Sequence, residues 1–539
     1  MRDGTVSEML AASFAARGVK RIFGVPGGGS SLDVIEAAAA AGIDFVLTRT
    51  ESAAVMMAAV TAELSGTIGV ALMTKGPGTA SAVNGVAYAS LDRAPVAVLT
   101  DGFSATEERY VTHQVFDQRA MLAPVTKGSS RLNEPNPAEA LCGLIDLALS
   151  HPPGPVLIEL TSEIARSRLS WNPGADVLQP PLATPTEPDV DRARDLLVHS
   201  VRPVIVVGLE ARDPTSALAI RDLVQALKCP VFATYKGKGI IDDRSAQYIG
   251  EFTSGAAEAN GVGAADLIIL VGLDPVELLR QPWRYTAPVI DIACIRHPVH
   301  YLKPAVGLYG PLSVSIERLR EAVRISEWTL EEMRSLRQGF QSVLSYRTSH
   351  GIGPQDVVEI AAEVATKLPQ MPRATVDAGA HMFSAIAFWP CAAPNDILIS
   401  NGLATMAFAL PAAIAAALEN RERAVIAFTG DGGLFMCIGE LSTAVQQSVR
   451  IVVVVFNDKS LSLIDIKQQQ RGLAVRGVRW LRPDFAAAMR GMGGRGYRVT
   501  SVAAYRAALA EALDGAGPAL IDVVIDPSGY PDQLKALRG

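Results

Sequence analysis

Val425-Ile426-Ala427-Phe428-Thr429-Gly430-Asp431-Gly432-Gly433 and, after residues 434–450, Ile451-Val452-Val453-Val454-Val455-Phe456-Asn457-Asp458 decide the fold of this chain. Each stretch is a short apolar, β-branched run, the mark of a strand buried on both faces of a parallel sheet. Each run ends near a carboxylate, Asp431 or Asp458. Residues 434–450 read as one helix between them. Strand, helix, strand sets both acids at the carboxyl edge of neighbouring strands, where open α/β sheets bind ligands. Gly432 and Gly433 let a phosphate approach the backbone at the helix start. Two hard oxygen ligands beside such a cradle suit Mg²⁺ and a diphosphate. A lone Gly-Asp-Gly is a common turn. The flanking strand and a second acid 27 residues on set this one apart.

The same rhythm runs outward. Residues 375–376, 397–399 and 520–524 read as further strands of that sheet. From Arg21 to Asp101 strands (43–47, 68–73, 95–99) alternate with helices (51–64, 80–89), a βαβ pattern that implies a parallel sheet. Residues 204–207, 231–233, 267–271 and 289–292 give another. The expected fold class is therefore α/β, with three doubly wound parallel-sheet domains. Residues 170–188 hold five prolines (Pro173, Pro180, Pro181, Pro185, Pro188) and read as an extended linker. A polar helix over 327–346 leads into the second boundary, Ser349-His350-Gly351-Ile352-Gly353-Pro354.

Composition limits what such a chain does. Its 539 residues suit about three domains. With 55 acidic and 49 basic residues the net charge is -6, which argues against a nucleic acid or an anionic membrane as partner. Cys142, Cys229, Cys294, Cys391 and Cys437 are scattered without metal-ligand spacing and read as reduced core thiols of a cytoplasmic protein. Met1-Arg2-Asp3-Gly4 carries no apolar signal core. Residues 402–418 are apolar apart from Thr405, but are short for a span and contain Pro411. They read as a buried helix.

These blocks resemble the thiamine diphosphate-dependent decarboxylases and carboligases, the group of acetolactate synthase, pyruvate decarboxylase and benzaldehyde lyase. The resemblance covers nearly the whole length. It implies a pyrimidine-binding domain (1–170), a central domain (189–326) and a diphosphate-binding domain (350–539). By that resemblance Asp431, Asp458 and the backbone carbonyl of Ser460 hold Mg²⁺. Asp458 stands where relatives usually carry Asn. Gly430, Gly432, Gly433, Leu461 and the segment Asp377-Ala378-Gly379-Ala380-His381 reach the diphosphate. In Ser400-Asn401-Gly402-Leu403-Ala404-Thr405-Met406, Ala404 offers its carbonyl to the aminopyrimidine and Met406 supports the bent cofactor. Without the resemblance, Met406 reads equally as core packing.

The amino-terminal blocks agree. Phe23-Gly24-Val25-Pro26-Gly27-Gly28 resembles the first glycine-rich loop, with Pro26 and Gly27 at the cofactor and Gly28 toward substrate. Glu51, in Thr48-Arg49-Thr50-Glu51, stands at the position of the catalytic glutamate that holds N1′ of the pyrimidine. By itself it reads as a first-turn acid facing the helix dipole. Lys75-Gly76-Pro77-Gly78-Thr79 resembles the next loop, and Ser81 replaces the Asn of many relatives. The implied activity is loss of CO₂ from a 2-oxo acid, with the resulting enamine passed to a carbonyl acceptor. Positioning of the reacting groups supplies roughly 7–11 kcal/mol of such a barrier. The implied partners are small 2-oxo acids or aldehydes, and a homodimer or homotetramer with its active sites at the dimer interface.

Departures bear on the substrate. Thr112-His113-Gln114 pairs one histidine with a glutamine, closer to the carboligases than to the paired histidines of aldehyde-releasing relatives. His113 reads either as a proton shuttle or as a surface histidine, and Gln114 joins it as a catalytic candidate. Ile464 and Lys467 stand where substrate is expected. Lys467 replaces a channel tryptophan of acetolactate synthases, and suits an anionic tail or a solvated helix face. Tyr235-Lys236-Gly237-Lys238-Gly239 does not reproduce an arginine-rich FAD loop. Its lysines meet a nucleotide phosphate or form a charged turn, and FAD is left open without being predicted. A flavin- or CoA-using oxidase or acyltransferase, and a non-catalytic cofactor-binding paralogue, are the alternative readings.

Overall fold

A computed structural model describes residues 1–172, 182–278, 282–348 and 350–538. Three six-stranded sheets, parallel throughout, form three α/β domains. In the third, the strands lie side by side in the order Ile397–Ile399, Arg373–Val376, Val425–Gly430, Ile451–Asn457, Ala519–Val524, Arg495–Val499. Chain order reverses between Arg373–Val376 and Val425–Gly430, which opens a crevice at their carboxyl ends. Gly430 pairs in register with Phe456, so the loops carrying Asp431 and Asp458 leave adjacent strands at one level. In the first domain the order is Asp44–Leu47, Arg21–Val25, Gly69–Met73, Val96–Asp101, Val156–Leu160, Ser129–Ser130. Edge strands such as Arg495–Val499 are half-exposed and lack the continuous apolar run that marks the central ones.

Residues 434–450 are not one helix. The chain forms Asp431–Cys437 and then Glu440–Gln446. A Cβ at Gly439 would lie 3.2 Å from Arg49 Cβ, and the break sets Glu440 against the first domain. The apolar stretch 402–418 is a loop followed by the helix Ala409–Glu419, whose residues Ala409 to Leu418 are all buried. This helix packs against Glu51–Ser65 in one core cluster shared by the first and third domains, which accounts for its even hydrophobicity. No described helix is long and apolar enough to cross a membrane.

The proline-rich linker is shorter than its composition suggested. Arg168–Trp171 is a strand paired antiparallel with Arg2–Thr5, and Pro188 sits in the first turn of the helix Glu187–His199. Pro173, Pro180, Pro181 and Ser349 lie outside the described residues. The polar helix runs Leu330–Leu344, started by a capping box between Thr329 and Glu332.

Candidate active site

Four neighbouring strand ends of the third domain enclose a cavity of about 240 Å³. Its lining takes in Gly379, Ala380, His381, Ala404, Met406, Gly430, Asp431, Gly432, Gly433, Asp458, Ser460, Leu461 and Ile464. Asp431 is 1 % exposed. Its Oδ1 accepts the Gly432 N–H at 2.9 Å and its Oδ2 the Lys459 N–H at 2.7 Å. Asp458 accepts the Ser460 N–H at 3.1 Å, and the Ser462 hydroxyl donates to its other oxygen. Burial, then the neighbouring Asp458 charge, pushes Asp431 up to about 7. Burial likewise pushes Asp458 up to about 6, against the pull of Ser462 and Ser460. Two desolvated like charges in one cavity favour a bound cation between them.

The rest of the lining suits a phosphate and an aromatic ring. His381 opens the helix His381–Phe388 and is held neutral, its pKa pulled down to about 3 by burial. Its ring packs on Phe456 with centroids 5.2 Å apart, and its Nε2 has no hydrogen-bond partner among the described residues. Gly432 forms the floor. A Cβ there would lie 2.8 Å from Leu461 Cδ2, 3.2 Å from the Trp480 ring and 3.3 Å from Met406 Cε. The lack of a side chain therefore keeps open the gap between Met406 and the acid pair. These features fit a Mg²⁺-diphosphate carrying an aromatic ring.

Neither spacing nor periodicity marks Trp480 or Tyr530. Tyr530 lines the cavity from the last helix. The Trp480 backbone N–H donates to the Lys459 carbonyl at 3.2 Å, and Leu461 N–H to the Val478 carbonyl at 2.9 Å, so the 478–480 segment fastens the loop of Asp458. Asp377 is not a ligand group. It is fully buried and accepts the N–H groups of Phe408 and Ala409 at 2.6 and 2.8 Å, capping the helix Ala409–Glu419.

The remaining candidates lie elsewhere. Glu51 starts the helix Glu51–Ser65 on the first domain, beside Gly78, whose Cβ position is 3.3 Å from Glu51 Oε1. Pro26 and Gly27 follow the strand Arg21–Val25, and Gly28 faces open space. None of the four lines the cavity of their own chain. His113 is exposed. Gln114 borders a separate hollow of about 680 Å³ and backs onto Gly76. The glutamine that ties this loop is Gln118, which accepts from Gly76 N–H at 2.8 Å and the Thr79 hydroxyl at 2.7 Å. Lys467 is exposed on the helix Ser462–Gln470, outside the lining, whereas Ile464 lies within it.

The lysines of the central domain are neither phosphate ligands nor a surface turn. Lys236 is buried between Glu63 (2.9 Å) and Asp92 (3.1 Å), and Lys238 between Asp243 and Glu251 (2.9 Å each). At the reversal point of this sheet, Glu277 takes the amides that a nucleotide phosphate would use. Its Oε2 accepts from Leu209 at 2.9 Å and Asp274 at 3.3 Å. Those two amides are therefore not free to bind a flavin or nucleotide phosphate.

Three α/β domains, with an acid pair at the strand ends of the third, define the architecture of a thiamine diphosphate enzyme. The thiamine pyrophosphate enzyme N-terminal TPP binding domain matches residues 4–121, the central domain 190–319, and the C-terminal TPP binding domain 377–523. The chain is 30% identical to the acetolactate synthase isozyme 3 large subunit of Escherichia coli, over 98% of this chain and 96% of that relative. It is 26% identical to the catabolic acetolactate synthase of Raoultella terrigena (97% and 96%), and 25% identical to the acetolactate synthase of Bacillus subtilis (98% and 94%). The chain belongs to the thiamine pyrophosphate enzyme family as an acetolactate synthase-like, thiamine pyrophosphate-dependent lyase or transferase.

Proposed function

We propose that this protein is a Mg²⁺-dependent carboligase that decarboxylates a 2-oxo acid and joins the remaining fragment to a carbonyl acceptor. The observation that carries the reading is the cavity where adjacent strand ends bring Asp431, Asp458, His381 and Met406 together. When bound, thiamine diphosphate supplies the electron sink for loss of CO₂. Asp431, Asp458 and the Ser460 carbonyl hold Mg²⁺. Gly379, Ala380, neutral His381, Gly430, Gly432, Gly433 and Leu461 hold the diphosphate. Ala404 and Met406 orient the ring system, and Ile464 faces substrate. Glu51 holds a proton at N1′ of the pyrimidine, with Pro26 and Gly27 beside the ring and Gly28 toward substrate. Gln114, behind Gly76, is a second catalytic candidate with His113. Lys467 has no support from the cavity.

Glu51 does not line the cavity of its own chain, so we read the working unit as a homodimer or homotetramer in which one copy lends Glu51 to the next. Around the cavity loops, Phe435, Met436 and Leu481 are 45%, 58% and 94% exposed in the single chain, as expected of a face that a second copy covers. The limits 1–170, 189–326 and 350–539 are the domain boundaries of this reading. Five buried, unpaired cysteines agree with a cytoplasmic setting.

The test is calorimetry with thiamine diphosphate and Mg²⁺, then CO₂ release and product mass over a panel of 2-oxo acids and carbonyl acceptors. Wild-type protein should bind and turn over, and Glu51→Gln should bind but lose most turnover. Full turnover by Glu51→Gln would remove that acid from the reaction, and no binding at all would end the reading.

A further inference from the structure

Asp92 and Lys236 lie outside the cavity, yet they hold the loop that forms one of its walls. Asp92 follows the helix Pro77–Leu91 of the first domain and is fully buried. Its Oδ1 accepts the N–H of Asn401 at 2.8 Å and of Gly402 at 3.3 Å. Its Oδ2 accepts the Leu403 N–H and the Ser400 hydroxyl, each at 3.3 Å. The Ser400 hydroxyl in turn accepts the Thr405 N–H at 3.1 Å. Gly402 presses on the helix end, where a Cβ would lie 2.2 Å from the Leu91 carbonyl oxygen. One carboxylate of the first domain thus gathers the start of the loop, and one hydroxyl passes the restraint on to the residue before Met406.

The loop requires such restraint. Ala404 and Ala407 have φ of 53° and 67°, left-handed values that alanine holds only where its surroundings impose them. Asp92 is itself held by the central domain. Lys236 Nζ lies 3.1 Å from Asp92 Oδ1 and 2.9 Å from Glu63 Oε1, and Glu63 also meets Arg212 at 2.7 Å. Two cations balance two carboxylates. Without Lys236, Arg212 would be left with both acids. A buried carboxylate short of a counter-ion takes up a proton or moves toward water, and a protonated one gives up acceptor sites that the loop amides occupy.

We propose that Lys236 and Asp92 are positioning residues for the cofactor site, through which the central domain sets the loop presenting Ala404 and Met406. The proposal rests on the thiamine diphosphate reading and adds a function for the central domain within it. Asp431 and Asp458 belong to the other half of the cavity, so disturbing the loop should separate two ligands that share a diphosphate. Thiamine diphosphate needs the loop, whereas inorganic diphosphate does not.

The experiment is calorimetric titration of the full-length protein, in saturating Mg²⁺, with each ligand in turn. Lys236→Gln and Ser400→Ala should weaken thiamine diphosphate by about tenfold or more, about 1.4 kcal/mol, and leave inorganic diphosphate within about twofold. Lys236→Arg should recover most of the loss. Ser400→Ala leaves the buried ions intact and carries the same test if the lysine variants do not fold. Equal weakening of both ligands, or of neither, would overturn the relay. A wild-type protein that bound only inorganic diphosphate would instead overturn the thiamine diphosphate reading, and the relay with it.

Discussion

The Glu440 carboxylate accepts the backbone N–H of Thr50 at 2.9 Å, one residue before Glu51. The same oxygen accepts the Arg49 N–H at 2.9 Å, and the Arg49 side chain reaches Ser442 at 2.8 Å and Gln446 at 2.9 Å. Glu440 begins the helix that follows the Asp431 turn. The strand end that offers Glu51 is therefore fixed by the chain's own third domain.

Removing that acceptor leaves two amides without a partner, at a cost of about 1–3 kcal/mol. Glu440→Ala should lose stability in that range in urea unfolding. Amide exchange at Arg49 and Thr50 should speed up. Glu440→Gln keeps an acceptor oxygen and should hold most of both. Unchanged exchange in the alanine variant would mean that the contact does not fix the strand end in solution.

Gly432→Ala tests the cavity floor. The added methyl meets Leu461, Trp480 and Met406, side chains at the floor of the space proposed for the cofactor. Thiamine diphosphate affinity should drop by about tenfold or more, with the urea midpoint little changed. Wild-type affinity in this variant would show that the ring does not lie over Gly432.

Asp458→Asn keeps an oxygen ligand and removes one of two like charges. Without metal, the variant should melt higher than wild type, because Asp431 loses its repelling neighbour. Added Mg²⁺ should raise the wild-type melting temperature more than that of the variant, since ligand-linked stabilisation grows with affinity. Equal Mg²⁺-induced rises would put Asp458 outside the metal shell.

Glu277 predicts a pH dependence away from the cavity. Burial raises its pKa from 4.5 to about 8. The folded state therefore binds its proton more tightly than the unfolded state does. That contribution is complete below pH about 4.5 and is lost as pH rises through about 8. Glu277→Gln resembles the protonated form and cannot ionise. Its melting temperature should match wild type near the lower limit and exceed it increasingly toward the upper one. Parallel curves would show that Glu277 does not titrate across this range.

Asp431 and Asp458 were readable because strand ends of a parallel sheet converge by topology, whatever the rest of the chain does. Met406 and His381 became readable through the resemblance, since neither spacing nor periodicity marks them. Lys236 was not. Its glycine neighbours suggest a turn, and its partner Glu63 is 173 residues away, so only tertiary structure shows that it is buried. Trp480, Gln118 and Glu440 were missed for the same reason, because each acts on a loop remote in sequence. The helix over 434–450 failed differently. Its local propensity is continuous, and the break follows from packing at Arg49 and from the pull of two distant amides on Glu440.

The pairing of Arg2–Thr5 with Arg168–Trp171 brings the entrance and exit of the first domain to a single point. The two strands form a ladder of their own, separate from the six-stranded sheet of that domain. Pulling the two ends apart would therefore open this short ladder first and leave whole the sheet from which Glu51 is presented.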